Sequence, residues 1–216
     1  MLIEARTLIN CKAQNLDGDL SKIKDIYFDN SNWKIHNLIL YMSRWLKTDD
    51  KFLISPGDIE GMDSTNSVIF TSVTSQQMKQ NPGNKLALEA SVKKDSEKQK
   101  PHKQLKIDNK AGHRQKQKKS HNIINLFSTM GLFGYHVHSF DEEIGLLKDL
   151  TADTGNWIFK HLIISDKHSY KNSKLMVPTS SVREISIKKR QITVDLSSDN
   201  IKSPDDIEAA SQLFRD

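Results

Sequence analysis

A single cysteine, Cys11, stands among 216 residues, which excludes an intramolecular disulfide and any multi-cysteine metal site and agrees with a reducing compartment. No window approaches the roughly 18 consecutive apolar residues that a membrane span needs, and the nearest run, residues 38–42, is far too short. The opening MLIEARTLIN carries Glu4 and no long apolar stretch, so no secretory signal is visible and cytoplasmic residence is the expectation. The nine glycines are scattered, and Gly131-Leu132-Phe133-Gly134 lacks the lysine and the spacing of a phosphate-binding loop. Aromatic residues make up only 7%, and the mean hydropathy is −0.59, as expected for a soluble chain that carries some unstructured sequence.

Against these absences stands an internal repeat. Residues 23–40 read IKDIYFDNSNWKIHNLIL and residues 147–164 read LKDLTADTGNWIFKHLII, a constant offset of 124 without a gap. Seven of the eighteen positions are identical: Lys24/Lys148, Asp25/Asp149, Asp29/Asp153, Asn32/Asn156, Trp33/Trp157, Leu38/Leu162 and Ile39/Ile163. Two copies of a small module are therefore expected, one over residues 1–82 and the other over 123–216. In each, a Lys-Asp-apolar strand leads through Asp29-Asn30-Ser31-Asn32, or Asp153-Thr154-Gly155-Asn156, into a second apolar strand. Such residues tolerate positive φ and bond their own backbone, as a short hairpin loop requires. Alternation places Trp33, Ile35, Ile39 and Tyr41 on one face of the return strand and Leu38 and Leu40 on the other, so cover on both sides is expected. Farther on the offset slips to 123, where Phe52-Leu53-Ile54 answers Leu175-Met176-Val177. Val68-Ile69-Phe70 and Ile192-Thr193-Val194 read as later strands, and each copy then turns polar and helical at Ser75 and Ser198. The second copy continues through Ser203-Pro204-Asp205-Asp206, a helix-start signature, into an apolar stripe of Ile207, Ala210, Leu213 and Phe214.

The net charge of +5 is unevenly placed. Residues 93–119 hold eleven Lys and Arg against three acids, a net of +8, which leaves −3 for the rest. Residues 83–122 form a basic linker whose composition cannot bury enough apolar surface to offset its ordering entropy, so disorder is expected over about 90–121.

The acidic turn (Asp17-Gly18; Asp141-Glu142-Glu143), the Lys-Asp strand, the Asp-x-x-x-Asn-Trp hairpin, the apolar return strand and the following Leu-Ile-Ser-Pro or Met-Val-Pro segment recur in one order. Together they resemble the PRC-barrel family, found in the cytoplasmic part of the reaction-centre H subunit and at the C-terminus of the ribosome maturation factor RimM. The resemblance spans about 150 residues in two copies and leaves the linker outside. It implies a mainly β chain of two small antiparallel PRC-type β-barrels with short C-terminal helices, acting in docking or assembly, with no catalytic residues to carry over.

Candidate chemistry is sparse. His136 and His138 would share a strand face, with His161 and His168 in the same copy, and imidazole pairs can bind zinc or copper. The first copy has Lys12, Gln14 and Asn37 at the equivalent positions, so the shared plan needs no metal and no cofactor. Cys11 lies opposite Tyr135, an ordinary barrel position rather than a nucleophile's. Asp29 and Asp153 are read as hairpin acceptors, Lys24 and Asp25 as alternating on a strand edge, and both repeated tryptophans as core or barrel-mouth plugs. Function is then sought where the copies differ. Trp45, opposite Ser169, and Leu213 with Phe214 are the candidate protein-partner contacts. Lys93, Lys94, Lys116, Lys118 and Lys119 are the candidates for nonspecific contact with RNA or an anionic membrane surface; a solubilising spacer is the plainer reading of the same lysines. The expectation is thus a non-enzymatic protein-docking chain, with RNA or anionic-surface association through the linker as the alternative. The linker length allows either a pseudo-dimer of the two copies or independent modules, and homo-oligomers remain open.

Overall fold

The computed structural model describes residues 1–41, 51–80, 126–166 and 174–196. The chain is mainly β. In order, the first half supplies β1 (Leu2–Glu4), α1 (Ala5–Asn10), β2 (Lys12–Gln14), β3 (Leu20–Asp29), β4 (Lys34–Tyr41) and β5 (Lys51–Ile54). A 3-10 turn (Pro56–Asp58), β6 (Ile59–Asp63), β7 (Val68–Thr71) and α2 (Ser75–Gln80) follow. The second half supplies β8 (Leu126–Ser128), α3 (Thr129–Leu132), β9 (His136–His138), β10 (Glu143–Asp153), β11 (Ile158–Asp166) and β12 (Lys174–Pro178). A second 3-10 turn (Thr179–Ser181), β13 (Val182–Ser186) and β14 (Gln191–Val194) end the described chain. The same succession of elements thus occurs twice, and the offset changes from 124 to 123 between β4 and β5, where the sequence comparison places its slip.

All fourteen strands among the described residues join one ladder in the order β13-β14-β9-β10-β11-β4-β3-β2-β7-β6, with β1, β5, β8 and β12 attached at its sides. The ladder is open, ending at β6 and β13. The halves meet where the two hairpins touch. Lys34 pairs with Ile158, the amide of Ile35 donates to the carbonyl of Trp157 at 2.8 Å, and that of Phe159 donates to the carbonyl of Trp33 at 2.9 Å. Each tryptophan closes its hairpin with φ near the left-handed helical value, 60° for Trp33 and 54° for Trp157. For a bulky residue that conformation is unfavourable, so surrounding packing has to hold it. Here the hairpin bond from the Trp33 amide to the Asp29 carbonyl (2.7 Å) and a stack on Phe28 (centroids 5.2 Å apart, 14° between planes) do so. As expected, Asp29 and Asp153 accept the amides of Ser31 and Gly155 in these loops.

The halves also exchange their opening segments. β1 of the first half pairs with β10 of the second at Leu2↔Asp153, Ile3↔Ala152 and Glu4↔Thr151. β8 of the second half pairs with β3 of the first at Leu126↔Asp29, Phe127↔Phe28 and Ser128↔Tyr27. One apolar core runs through both halves, from Leu8, Ile23, Ile26 and Phe28 to Leu147, Leu150, Phe159 and Ile192. Equivalent positions in it are size-matched across the join: Phe28 stands where the second half has Ala152, and Phe159 where the first has Ile35, the two rings meeting edge-on at 5.2 Å.

Two bulges recur, and they correct two expectations. Lys24 and Lys148 are extra residues in their strands, with pairing passing from Ile23 to Asp25 and from Leu147 to Asp149. Asp25 and Asp149 therefore do not lie on a strand edge; they turn toward the exchanged segment of the opposite half. A second bulge at His36 shifts parity, because Tyr27 faces Asn37 but Phe28 faces Ile35. Ile35 consequently joins Leu38 and Leu40 in the main core, while Ile39 packs with Tyr27 and Leu53 on the outer side. The two-sided cover expected for β4 is present, with a different division of residues.

Candidate partner-binding face

The outer face of the first half follows from the register of three strands. Ile69, Ala13 and Ser21 sit side by side on β7, β2 and β3, and all three are buried. Because side chains alternate along a strand, the rows on either side of them point outward. One row is Phe70, Gln14 and Leu20; the other is Val68, Lys12 and Lys22, which continues through Tyr41 to Lys51. Phe70 remains 41% exposed and Leu20 49%, high values for large apolar side chains in a sheet. On β6 the neighbour of Phe70 is Gly61, so nothing fills the space beside the ring.

Leu16, 60% exposed, stands at the end of this face on a loop whose geometry is fixed by hydrogen bonds. Its amide donates to the Val73 carbonyl at 3.0 Å; Asn15, buried at the loop's base, accepts the Asp19 amide through Oδ1 at 2.8 Å and donates from Nδ2 to Ser75 Oγ at 2.6 Å. A rigid loop that holds an apolar side chain in water suits an anchor for a partner.

The charges of the second row are not balanced in place. Lys12 and Lys22 are exposed and directly opposite one another, and among the described residues neither has a carboxylate within ion-pair distance. The Lys51 ammonium lies 5.4 Å from the Tyr41 ring centroid, so that ring is already occupied by a cation. The one acid in line with the row, Asp63 on β6, is bound into its own turn by the amides of Thr65 and Asn66 and by Asn66 Nδ2, bonds that hold its pKa below the ordinary value.

The second half presents a different surface. Its equivalent rows read Gln191, His136, Leu146, Ser165, Lys174 and Thr193, His138, Glu143. His136 is exposed with Nδ1 2.8 Å from Glu143 Oε1, whereas His138 is half-buried and faces Thr193 and Glu143 across the ladder. The expected shared face of the two histidines is present, with Val137 buried between them. His161 is half-buried on β11, its Nδ1 3.0 Å from Thr151 Oγ1, and burial, with Lys160 nearby, pushes its pKa down. Among the described residues no group of three or more His, Cys, Asp and Glu could hold a metal ion. Phe140, the counterpart of Leu16, is also exposed, at 72%.

Cys11 is buried, its thiol donating to the Thr7 carbonyl at 3.3 Å, and burial raises its pKa, which is opposite to what a nucleophile needs. Trp45, His168, Leu213, Phe214 and Lys93, Lys94, Lys116, Lys118 and Lys119 lie outside the described residues. Phe70 carries a signal that the comparison of copies gives, an apolar side chain where the other copy has Thr193, whereas Leu20 answers the equally apolar Ile144 and carries none.

The two repeated acids explain themselves as joints. Asp25 accepts Ser128 Oγ (2.5 Å), Thr129 Oγ1 (2.9 Å) and the amides of Met130 (3.1 Å) and Ile26 (2.8 Å), which fastens α3 onto β3. Asp149 accepts the amides of Arg6 (3.2 Å) and Leu150 (2.8 Å), fastening α1 onto β10. Where the first joint has Ser128 and Thr129, the second has Glu4 and Ala5, neither of which donates to Asp149, and its Oδ2 is buried without a partner. Burial pushes both carboxyls up from the ordinary value, partly offset by these bonds, and at Asp149 the nearby Glu4 adds to the rise. No helix among the described residues is long and apolar enough to cross a membrane. No protein-family model matches the chain, and no curated protein does.

Proposed function

We propose that the protein is a non-enzymatic docking or assembly module, that its first half carries the partner-binding face, and that each half is a PRC-type β-barrel unit used twice. The observation that carries the reading is the outward apolar row of Phe70 and Leu20, continued by Leu16 on its braced loop; in the second half Thr193 and the buried Ile144 stand at the places of Phe70 and Leu20, and only Phe140 is exposed in the place of Leu16. Exposed apolar side chains gathered on one face mark interaction sites more often than singly scattered ones. The ladder ends argue for recognition through this face rather than by added strands. β6 carries Glu60 and Asp63 and β13 carries Arg183 and Glu184, and charge on an edge strand opposes pairing with another chain. The buried thiol of Cys11 suits work in a reducing cytoplasm.

The reading is tested by affinity capture from the native source with the intact chain and with a Leu20→Asp, Phe70→Asp variant, whose folding is verified by circular dichroism. Proteins held by the intact chain should be lost with the variant and kept when residues 90–121 are deleted. Retention by the variant would remove the first-half face as the docking surface.

A further inference from the structure

Resting on the docking reading, the chemistry of the same face names an occupant. Lys12 and Lys22 oppose one another across β2 and β3, an arrangement that is unfavourable unless an anion lies between the ammonium groups. Lys51 extends the cationic row, Val68 ends it on β7 opposite Lys12, and Phe70 and Leu20 lie in the neighbouring outward row. The complement of such a surface carries carboxylates and apolar side chains together. A single-stranded nucleic acid fits it less well, because stacking needs open aromatic faces in succession and the Tyr41 ring already holds Lys51, leaving Phe70 alone.

The protein contains a matching segment. Residues 203–214 hold Asp205, Asp206 and Glu208 without one Lys or Arg, together with Ile207, Ala210, Leu213 and Phe214. Three carboxylates in this segment match the three ammonium groups in number, and its apolar residues match the Phe70 row in kind. The second half offers no equivalent surface, since His136 there is engaged with Glu143 and Thr193 stands at the place of Phe70. Asp205 and Glu208 follow Leu196 by nine and twelve residues, an extended contour of about 30–40 Å, which matches the roughly 30 Å across the six ladder steps from β14 to β2. We infer that residues 203–214 of the protein's own chain cover the Lys12/Lys22/Phe70 face in the partner-free protein, so that a docking partner must displace them. Tethering keeps even a weak contact of this kind populated through effective concentration.

Zero-length carbodiimide cross-linking of the full chain, read by peptide mass spectrometry, tests this. Cross-links from Lys12, Lys22 or Lys51 to Asp205, Asp206 or Glu208 are expected, with a yield independent of protein concentration. The yield should fall several-fold between about 0.01 M salt, where the screening length is ~30 Å, and about 1 M, where it is ~3 Å. It should be lost in a Lys12→Glu, Lys22→Glu variant and return when Asp205→Lys and Asp206→Lys are added. Absence of these cross-links, a failure of the charge exchange to restore them, or a yield that rises with concentration and joins differently isotope-labelled chains would overturn covering by the chain's own tail. If the cross-links are absent while Leu20→Asp, Phe70→Asp still abolishes partner capture, the tail contact is wrong and the docking face stands.

Discussion

The carbonyl of Trp33 accepts the amide of Phe159 at 2.9 Å, so the residue that closes the first hairpin also joins it to the second. Its left-handed backbone, φ 60°, costs on the order of 1 kcal/mol for a side chain of this kind, while its ring is buried against Phe28. Trp33→Ala should destabilise by about 3–5 kcal/mol through the lost packing. Trp33→Gly should be less harmful than Trp33→Ala by about 1 kcal/mol, an inversion of the usual order that arises only at positive φ. Urea unfolding of the two variants measures the difference.

The exchanged segments give a second test. Ser128 caps α3 through the Gly131 amide at 2.9 Å and also donates to Asp25, whereas its counterpart Glu4 caps nothing with its side chain. Glu4→Ser should supply both a cap for α1 and a donor for Asp149, stabilising the protein by about 1 kcal/mol. The ion pair it removes, Glu4 with Lys174 at 3.6 Å, is largely exposed and contributes little. Thermal unfolding with and without the substitution decides.

The pH dependence follows from the same joints. Asp25 and Asp149 have folded-state pKa values raised above those of the unfolded chain, burial being the first cause in each. The folded state therefore holds their protons more tightly, and the stability they contribute is fully present below the unfolded pKa and is lost as pH rises through the folded values. Stability should fall with rising pH across that window, and Asp149→Asn should flatten part of the fall. A variant with the unaltered slope would show that Asp149 is ionised in the folded protein throughout.

Size matching across the join yields a fourth expectation. Phe28 and Phe159 meet edge-on at 5.2 Å, while Ala152 occupies the position equivalent to Phe28. Phe28→Ala should cost about 3–5 kcal/mol. Ala152→Phe, which inserts a ring into a fully buried site, should also destabilise, by about 1–3 kcal/mol. Ile35→Phe should do so for the same reason, so the two halves are not interchangeable. Chemical denaturation of the single variants checks each value.

Much of this architecture was legible in the residues. The hairpin acids, the strand pairs and the slip of offset between β4 and β5 all follow from turn chemistry and from aligning the two copies. The bulges at Lys24 and His36 were not, because an extra residue breaks the period of two that places side chains on faces, and nothing in the local composition announces it. Asp25 was thereby read as an edge residue, although its partners, Ser128 and Thr129, lie 103 and 104 positions away. The exchange of β1 and β8 was hidden for the same reason: short segments carry no mark of the strand they will join. Leu20 is as apolar as Ile23 and Ile26, yet it is Ser21 that is buried beside it, which composition alone does not show. The outward face became visible only once Phe70 was aligned with Thr193 and the register of β2, β3 and β7 was known.

The docking face is tested most directly by hydroxyl-radical footprinting of the full chain, alone and with the proteins it captures from its native source. Oxidation of Phe70, Leu20 and Leu16 should drop several-fold in the complex, with Phe140 as the internal comparison on the second half. Unchanged oxidation at Phe70 and Leu20 in a verified complex would contradict the assignment of partner binding to the first-half face.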